Sequence, residues 1–230
     1  MDTSASILVT GAAGHLGTSV VHELHQLGYQ VLATLGSQKN TGIFDHLERV
    51  TSHVVDLLDP AGVASFIDTV RPKAPRAAVL LVGGFTAGGF AETSVDDLEN
   101  MFRLNFLTAY NVVQPLLPIF DAQGGGQFIL VGARPALLPD AGKDLVAYSL
   151  SKSLVFELAS LINAYGQGKS IAASVIVPSI IDTPVNRKAM PDADPATWVT
   201  PEAVSKTIAF VLSEAGQMMH EPILKLYNQS

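Results

Sequence analysis

The sequence contains no cysteine, and only 15% of its 230 residues are charged. The chain therefore forms no disulfide and no thiolate zinc site, and it has no cysteine nucleophile. Hydrophobic residues make up 48% of the chain, which excludes a disordered protein and leaves enough apolar surface for a large core. The length is about one and a half times that of a typical domain. We predict a single domain over residues 1–230.

Long apolar runs and blocks of basic residues are also missing. The longest uninterrupted apolar run, Ala77 to Val82, is far shorter than the roughly 20 residues that cross a bilayer. The net charge is −7, whereas nucleic-acid binding relies on cations against phosphates. Asp2 and no basic region precede the first apolar residues, unlike a signal peptide. We expect a cytoplasmic protein that binds neither membrane nor nucleic acid.

Short apolar strands alternate with helical patterns along the whole chain. Strands are predicted at 7–10, 31–35, 54–55, 77–82, 127–131, 171–177 and 222–227. Helices are predicted at 18–27, 63–70, 95–117, 145–165 and 201–212, the third broken near Pro115 and Pro118. This alternation predicts a doubly wound parallel α/β sheet of the Rossmann type, with helices on both faces. Residues 182–200 are irregular and are expected to form a lid over the substrate.

Three glycines lie in the turn between the first predicted strand and helix, in Gly11-Ala12-Ala13-Gly14-His15-Leu16-Gly17. One glycine makes a tight turn, one lets the backbone approach a pyrophosphate, and one lets helix and strand pack closely. The start of the helix then offers free N–H groups and a positive dipole to the phosphates. We predict that Gly11, Gly14, His15, Leu16 and Gly17 bind a dinucleotide. The alternative is a strand-to-helix turn that merely needs glycine, and the His15 side chain is expected to face solvent.

No acidic residue ends the second predicted strand, where dinucleotide-binding units often hold the adenosine ribose with a carboxylate. Gly36 occupies that position, and Ser37 and Lys39 follow it. Ser37 offers a hydrogen bond and Lys39 a positive charge to a 2′-phosphate. The sequence therefore favours NADP(H) over NAD(H). The alternative is a solvated loop in which Lys39 has no role.

Tyr148 and Lys152 are four residues apart at the start of a predicted helix and so share one face of it. An ammonium beside a phenol favours the phenolate and lowers its pKa from about 10 toward neutrality. Such a tyrosine exchanges a proton while a hydride moves elsewhere. A surface pair without function is the alternative for these two residues taken alone.

The glycine turn and the Tyr-x-x-x-Lys pair together resemble the short-chain dehydrogenase/reductase family over nearly the whole chain. The resemblance implies that Tyr148 delivers a proton, that Lys152 binds the nicotinamide ribose, and that Asn105 holds a relay water. It also implies a homodimer or homotetramer that assembles through the helices predicted at 95–117 and 145–165. Further cofactor contacts are implied at Asp56, Leu57, Gly83, Gly84, Pro178, Ile181 and Thr183.

The chain departs from the family pattern after the fifth predicted strand. Ala133 stands where the family usually has a serine that holds the substrate carbonyl, and an alanine cannot hydrogen-bond a developing oxyanion. Dihydropteridine reductases, a subgroup of the family, share a small residue there and resemble this chain at 83–89 and 182–191. The likeness implies an already electrophilic acceptor, whether a quinonoid, an imine or a carbonyl, with a pteridine-like ring included.

An alternative stays open for the function of the protein and another for the role of Arg134. Ala133 favours a dinucleotide-binding sensor or regulatory protein with weak turnover, whereas Tyr148, Lys152 and Asn105 argue against it. Arg134 is expected to form a surface ion pair, and contact with an acidic substrate group is its alternative. The histidines do not pair with carboxylates at metal-ligand spacing, so no metal is expected.

Overall fold

The computed structural model describes residues 5–230, so Asp2 lies outside the described part of the chain. Seven strands of that part form one parallel sheet in the order β3-β2-β1-β4-β5-β6-β7. They are β1 (Ser6–Thr10), β2 (Gln30–Leu35), β3 (Val50–Val54), β4 (Pro75–Leu80), β5 (Gly126–Val131), β6 (Ile171–Pro178) and β7 (Ile223–Leu226). The order reverses between β1 and β4, and ligands bind at such switch points in open α/β sheets. The predicted Rossmann-type fold is confirmed.

Helices cover both faces of this sheet. They are α1 (His15–Gln26), α2 (Pro60–Val70), α3 (Val95–Phe102), α4 (Thr108–Ala122), α5 (Pro139–Gly142), α6 (Val146–Gly166), α7 (Pro184–Ala189) and α8 (Pro201–Leu212). Successive strand residues point to opposite faces. In β1, Leu8 packs with α2, α4 and α6, whereas Ile7 and Val9 pack with α1 and α8. Burial on both faces explains why the inner strands are largely apolar, whereas the edge strands β3 and β7 include polar residues.

The long helix predicted at 95–117 is interrupted, but not where its prolines suggested. Pro115 and Pro118 lie inside α4, because the buried Val112, Leu116 and Phe120 hold that helix against the core. The interruption is a π-helical turn at Arg103–Leu107, between α3 and α4. Turns of this kind often occur at functional sites. This one carries Asn105.

The segment 182–200, predicted to be irregular, contains α7 and a 3-10 turn at Pro195–Thr197. Its end is part of the packed structure, because Trp198 and Val199 are buried and the Val199 amide donates to the Ile180 carbonyl over 2.9 Å. Its role as a lid stays a prediction. Across residues 5–230, every helix is too short or too polar to cross a membrane.

Candidate functional site

Two glycines of the turn between β1 and α1, Gly11 and Gly17, lie where there is no room for a side chain. Gly11 has a φ of +63°, and a Cβ atom there would lie 3.1 Å from the Val82 side chain. A Cβ atom on Gly17 would overlap the Gly11 carbonyl oxygen and lie 2.8 Å from the Ala12 Cα atom. Gly14 precedes α1 and supplies no side-chain cap to its first amides. This tight turn with uncapped amides fits a pyrophosphate.

The end of β2 has space where a ribose substituent is expected. Gly36 is exposed, and a Cβ atom on it would meet no atom within 4 Å. The Ser37 hydroxyl accepts a hydrogen bond from the Lys39 amide over 3.3 Å and keeps its own proton free to donate. The Lys39 side chain is exposed. The end of β2 thus combines an open backbone position, a hydroxyl and an exposed ammonium group.

The loop after β3 lies beside the end of β2, because the Val55 amide donates to the Leu35 carbonyl over 3.0 Å. The Asp56 carboxylate accepts from the Leu58 amide over 2.9 Å. Leu57 is buried, and its carbonyl accepts from the Asn111 side chain over 2.9 Å. These bonds fix the loop in which the resemblance implies an adenine contact.

Asn105 is buried and connects the loop after β4 to α6. Its Oδ1 accepts from the Gly84 amide over 2.9 Å, and its Nδ2 donates to the Gly84 carbonyl over 3.2 Å. Nδ2 also donates to Ser151 Oγ over 2.9 Å, and Ser151 Oγ donates to the Tyr148 carbonyl over 2.8 Å. The side chain thus holds two predicted site segments together.

Lys152 is buried without an acidic partner among the described residues. Its Nζ donates to the Val131 carbonyl at the end of β5 over 2.8 Å. Burial lowers the pKa of Lys152 to about 8, because the charged form is poorly solvated there. A Cβ atom on Gly83 would lie 2.6 Å from Asn105 Oδ1 and 3.3 Å from Lys152 Nζ. Glycine at 83 therefore keeps open a small space that both polar atoms border.

The lowered pKa of Lys152 predicts a pH-dependent stability. Between about pH 8 and pH 10.5, the ordinary pKa of a lysine, the unfolded chain binds the extra proton, so the free energy of unfolding rises with pH. We expect Lys152→Met to remove about 2 kcal/mol of the increase seen between pH 8 and pH 10. Urea unfolding at both pH values measures this, with the exposed Lys206→Met as control. An unchanged pH dependence in Lys152→Met would contradict the assignment.

Tyr148 is partly buried, and its ring packs edge-on against Phe85 with the ring centroids 5.0 Å apart. Burial raises the pKa of Tyr148 to about 12. The expectation that Lys152 lowers this pKa toward neutrality is therefore wrong in this structure. The Lys152 ammonium is bound to the Val131 carbonyl, and loss of solvent around the phenol has the larger effect.

The remaining predicted residues follow β5 and β6. Ala133 is buried beyond the end of β5, so no hydroxyl is present at that position. Pro178 ends β6, and the Ile181 carbonyl accepts from the Asn186 side chain over 2.8 Å. The Thr183 hydroxyl accepts from the Asn186 amide over 3.2 Å and so caps α7.

Arg134 forms no ion pair with the described residues, which corrects the expectation of a surface pair. Its guanidinium lies over the Tyr227 ring, 5.1 Å from the centroid, because Tyr227 follows β7 at the same edge of the sheet. His15 is exposed, as expected from the sequence.

The structure thus brings Tyr148, Lys152, Asn105, Gly83 and Gly84 together, while Gly36 and Asp56 lie at the far side of the switch point. Ser151 and Phe85 also contact this cluster, although the sequence analysis did not select them. Ser151 could have been selected from the sequence, because it lies within the Tyr-x-x-x-Lys motif. No residue pattern around the exposed Phe85 distinguishes it from an ordinary packing residue.

Comparisons with known proteins agree with this fold. The family model described as short chain dehydrogenase matches residues 5–194. Oxidoreductase UcpA of Escherichia coli (strain K12) is 27% identical over 210 residues, which cover 86% of this chain and 78% of UcpA. Dihydropteridine reductase of Dictyostelium discoideum is 25% identical over 212 residues, covering 89% of this chain and 86% of that protein.

Solved structures share the fold at lower identity. ElxO with NADP bound superposes with a TM-score of 0.90 at 20% identity, covering 97% of each chain. An NADPH-bound short chain oxidoreductase from Pseudomonas aeruginosa PAO1, described as containing an atypical catalytic center, has a TM-score of 0.87 at 18% identity. It covers 97% of this chain and 95% of its own.

Proposed function

Because this chain belongs to the short-chain dehydrogenase family and is an NAD(P)-dependent oxidoreductase, we propose that it reduces a small electrophilic acceptor with Tyr148 as proton donor. The nicotinamide cofactor supplies the hydride when bound. The proposal depends chiefly on one observation: the hydrogen bonds of Asn105 and Ser151 end at the Tyr148 backbone carbonyl, one helical turn before the buried Lys152. Hydride adds to the electrophilic atom of the acceptor, and the Tyr148 proton passes to the heteroatom that takes up the electron pair.

The raised pKa of Tyr148 keeps on the phenol the proton that the proposed reduction requires. With a pKa of about 12 the side chain is protonated throughout the neutral range. A protonated phenol can give a proton to a developing anion but cannot accept one from an alcohol. Tyr148 regains its proton from solvent after each turnover.

Lys152 and Asn105 assist Tyr148 in this proposed proton transfer. Lys152 Nζ keeps two donors beyond the bond to Val131, and these suit ribose hydroxyls. Asn105 Oδ1 has a second lone pair at the space kept open by Gly83. In our proposal this space holds a water that carries protons toward Tyr148.

The acceptor class follows from Ala133 and Phe85. Without a hydroxyl at 133 the site gives little help to a carbonyl that must first be polarised. Quinonoid and imine-like rings need less help, and the exposed face of Phe85 offers an apolar surface for a planar ring. A pteridine-like acceptor is consistent with the similarity to dihydropteridine reductase of Dictyostelium discoideum.

The direct test follows NADPH oxidation with a panel of quinones, imines, simple ketones and a quinonoid dihydropterin. We expect turnover with the quinonoid acceptors and little with the ketones. Tight NADPH binding without oxidation by any acceptor would contradict the proposal and would support a sensor instead.

We further propose NADP(H) as the preferred cofactor, supported by the open Gly36, by Ser37 and by Lys39. Fluorescence titration with NADPH and NADH tests the preference. Tighter binding of NADH than of NADPH would be incompatible with it.

Gly36→Asp is expected to reverse this preference, because it places a carboxylate where the 2′-phosphate binds. A Cβ atom at this exposed position meets no atom within 4 Å, so the fold has room for the substitution. We expect the Kd for NADPH to rise by about 10- to 100-fold and the Kd for NADH to fall, as like charges repel and the carboxylate binds ribose hydroxyls. The neutral, nearly isosteric Gly36→Asn should keep the NADPH preference. Loss of NADPH affinity in both variants would indicate crowding rather than charge.

Assembly and location remain proposals. Exposed apolar side chains on α3, α4 and α6, such as Phe102, Tyr110 and Leu161, support a homodimer or homotetramer, which sedimentation measures. A cytoplasmic location is a prediction from the sequence.

A further inference from the structure

Arg134 and Tyr227 carry polar groups that nothing in the described chain satisfies. Arg134 Nε and the Tyr227 hydroxyl are both buried without a hydrogen-bond partner. The guanidinium has the Tyr227 ring on one side and no carboxylate within ion-pair distance among residues 5–230. Leaving such groups unpaired costs free energy, and a purely structural contact could be made by apolar side chains.

The last residues of the chain hold Tyr227 in place. Ser179 Oγ donates to the Tyr227 carbonyl over 2.8 Å and lies 2.7 Å from Ser230 Oγ. Asn228 Nδ2 donates to the Trp198 carbonyl over 2.9 Å. Ser179 therefore holds the backbone of Tyr227, whose ring faces the Arg134 guanidinium.

The pair lies on the same edge of the sheet as the proton donor. Arg134 follows β5, Ser179 follows β6 and Tyr227 follows β7, and the carboxyl ends of these neighbouring parallel strands meet at one edge. The carbonyl that binds Lys152 belongs to Val131, three residues before Arg134. The guanidinium and the proposed proton donor therefore lie at the same edge of the sheet.

We propose that Arg134 binds a carboxylate carried by the acceptor, an inference that rests on the proposed function. A guanidinium offers paired N–H donors that match the two oxygens of a carboxylate, and a ring behind it limits its motion. The substrate class is therefore an electrophilic ring bearing an acid group.

Binding of a non-reducible probe tests this without relying on turnover. Isothermal titration calorimetry measures the affinity of such a probe directly. We expect the wild-type protein with NADP+ to bind benzoate at least about tenfold more tightly than the neutral benzamide. Arg134→Gln should abolish this difference, and Arg134→Lys should retain part of it.

The controls separate this inference from the proposed function. Tyr148→Phe should stop turnover and keep the preference for benzoate, whereas Arg71→Gln, at an exposed arginine, should change neither. Unaltered NADP+ affinity in Arg134→Gln verifies that the variant is folded. Equal affinity of the wild-type protein for the two probes, or an undiminished preference in Arg134→Gln, would overturn the assignment.

Discussion

Tyr148→Phe is expected to lower kcat by about 10²- to 10⁴-fold, the usual contribution of a positioned general acid. The substitution removes one oxygen and keeps the ring that packs against Phe85. The network of Asn105 and Ser151 reaches Tyr148 through its backbone carbonyl and is preserved. The Kd for NADPH should therefore stay within about twofold of the wild-type value, since chemistry and not binding is affected.

Single-turnover oxidation of bound NADPH with a quinone measures this effect apart from product release. Tyr110→Phe is the matched control, because that exposed tyrosine lies on α4 and loses the same hydroxyl. The control should retain wild-type kcat. A Tyr148→Phe variant with wild-type kcat would require another proton donor, and the assignment of the site would fail.

Ala133→Ser is expected to raise kcat/KM for simple ketones by about 100-fold, the scale of one oxyanion donor. Ala133 has extended backbone angles, φ −151° and ψ 145°, which serine adopts without strain. A hydroxyl there would donate to the oxygen of a ketone as negative charge develops on it. Quinonoid acceptors, which spread that charge over the ring, should gain much less.

Parallel kinetics with a ketone and a quinone, in wild type and variant, measure the selective gain. Ala141→Ser, at an exposed position, serves as the control and should leave both rates unchanged. An equal gain for both acceptors would mean that the hydroxyl acts on cofactor binding. No gain for ketones would mean that Ala133 is not at the acceptor.

Most of the architecture could be predicted because it depends on local patterns. Apolar strands covered on both faces, the three glycines and the alternation of strand and helix led to the correct Rossmann-type fold. The π-helical turn at Arg103–Leu107 had no such signal, because it depends on where Asn105 meets Gly84 and Ser151 in the folded chain. The two prolines of α4 wrongly predicted a break in that helix. The burial of its apolar side chains stabilises the helix by more than the two missing N–H donors destabilise it.

The pKa values and ion pairs of the site could be predicted less well than the residues that form it. Spacing placed Tyr148 and Lys152 on one helix face, but the direction of the Tyr148 pKa depends on how much solvent remains around it. The ion pair expected for Arg134 likewise failed, because its partner is a ring that lies 93 residues later in the sequence. Contacts at such separations follow from tertiary packing and leave no trace in local composition.

The bonds of Asn228 to the backbone at 196–198 have a consequence for how this enzyme could diversify. These bonds hold residues 196–198, in the second half of the segment 182–200, against the C-terminal end of the chain. Val185, Lys188 and Ala189 on α7, in the first half of the segment, are exposed. Mutations there can accumulate with little loss of foldability. A randomised library confined to these three codons would test whether this segment is the predicted lid over the acceptor.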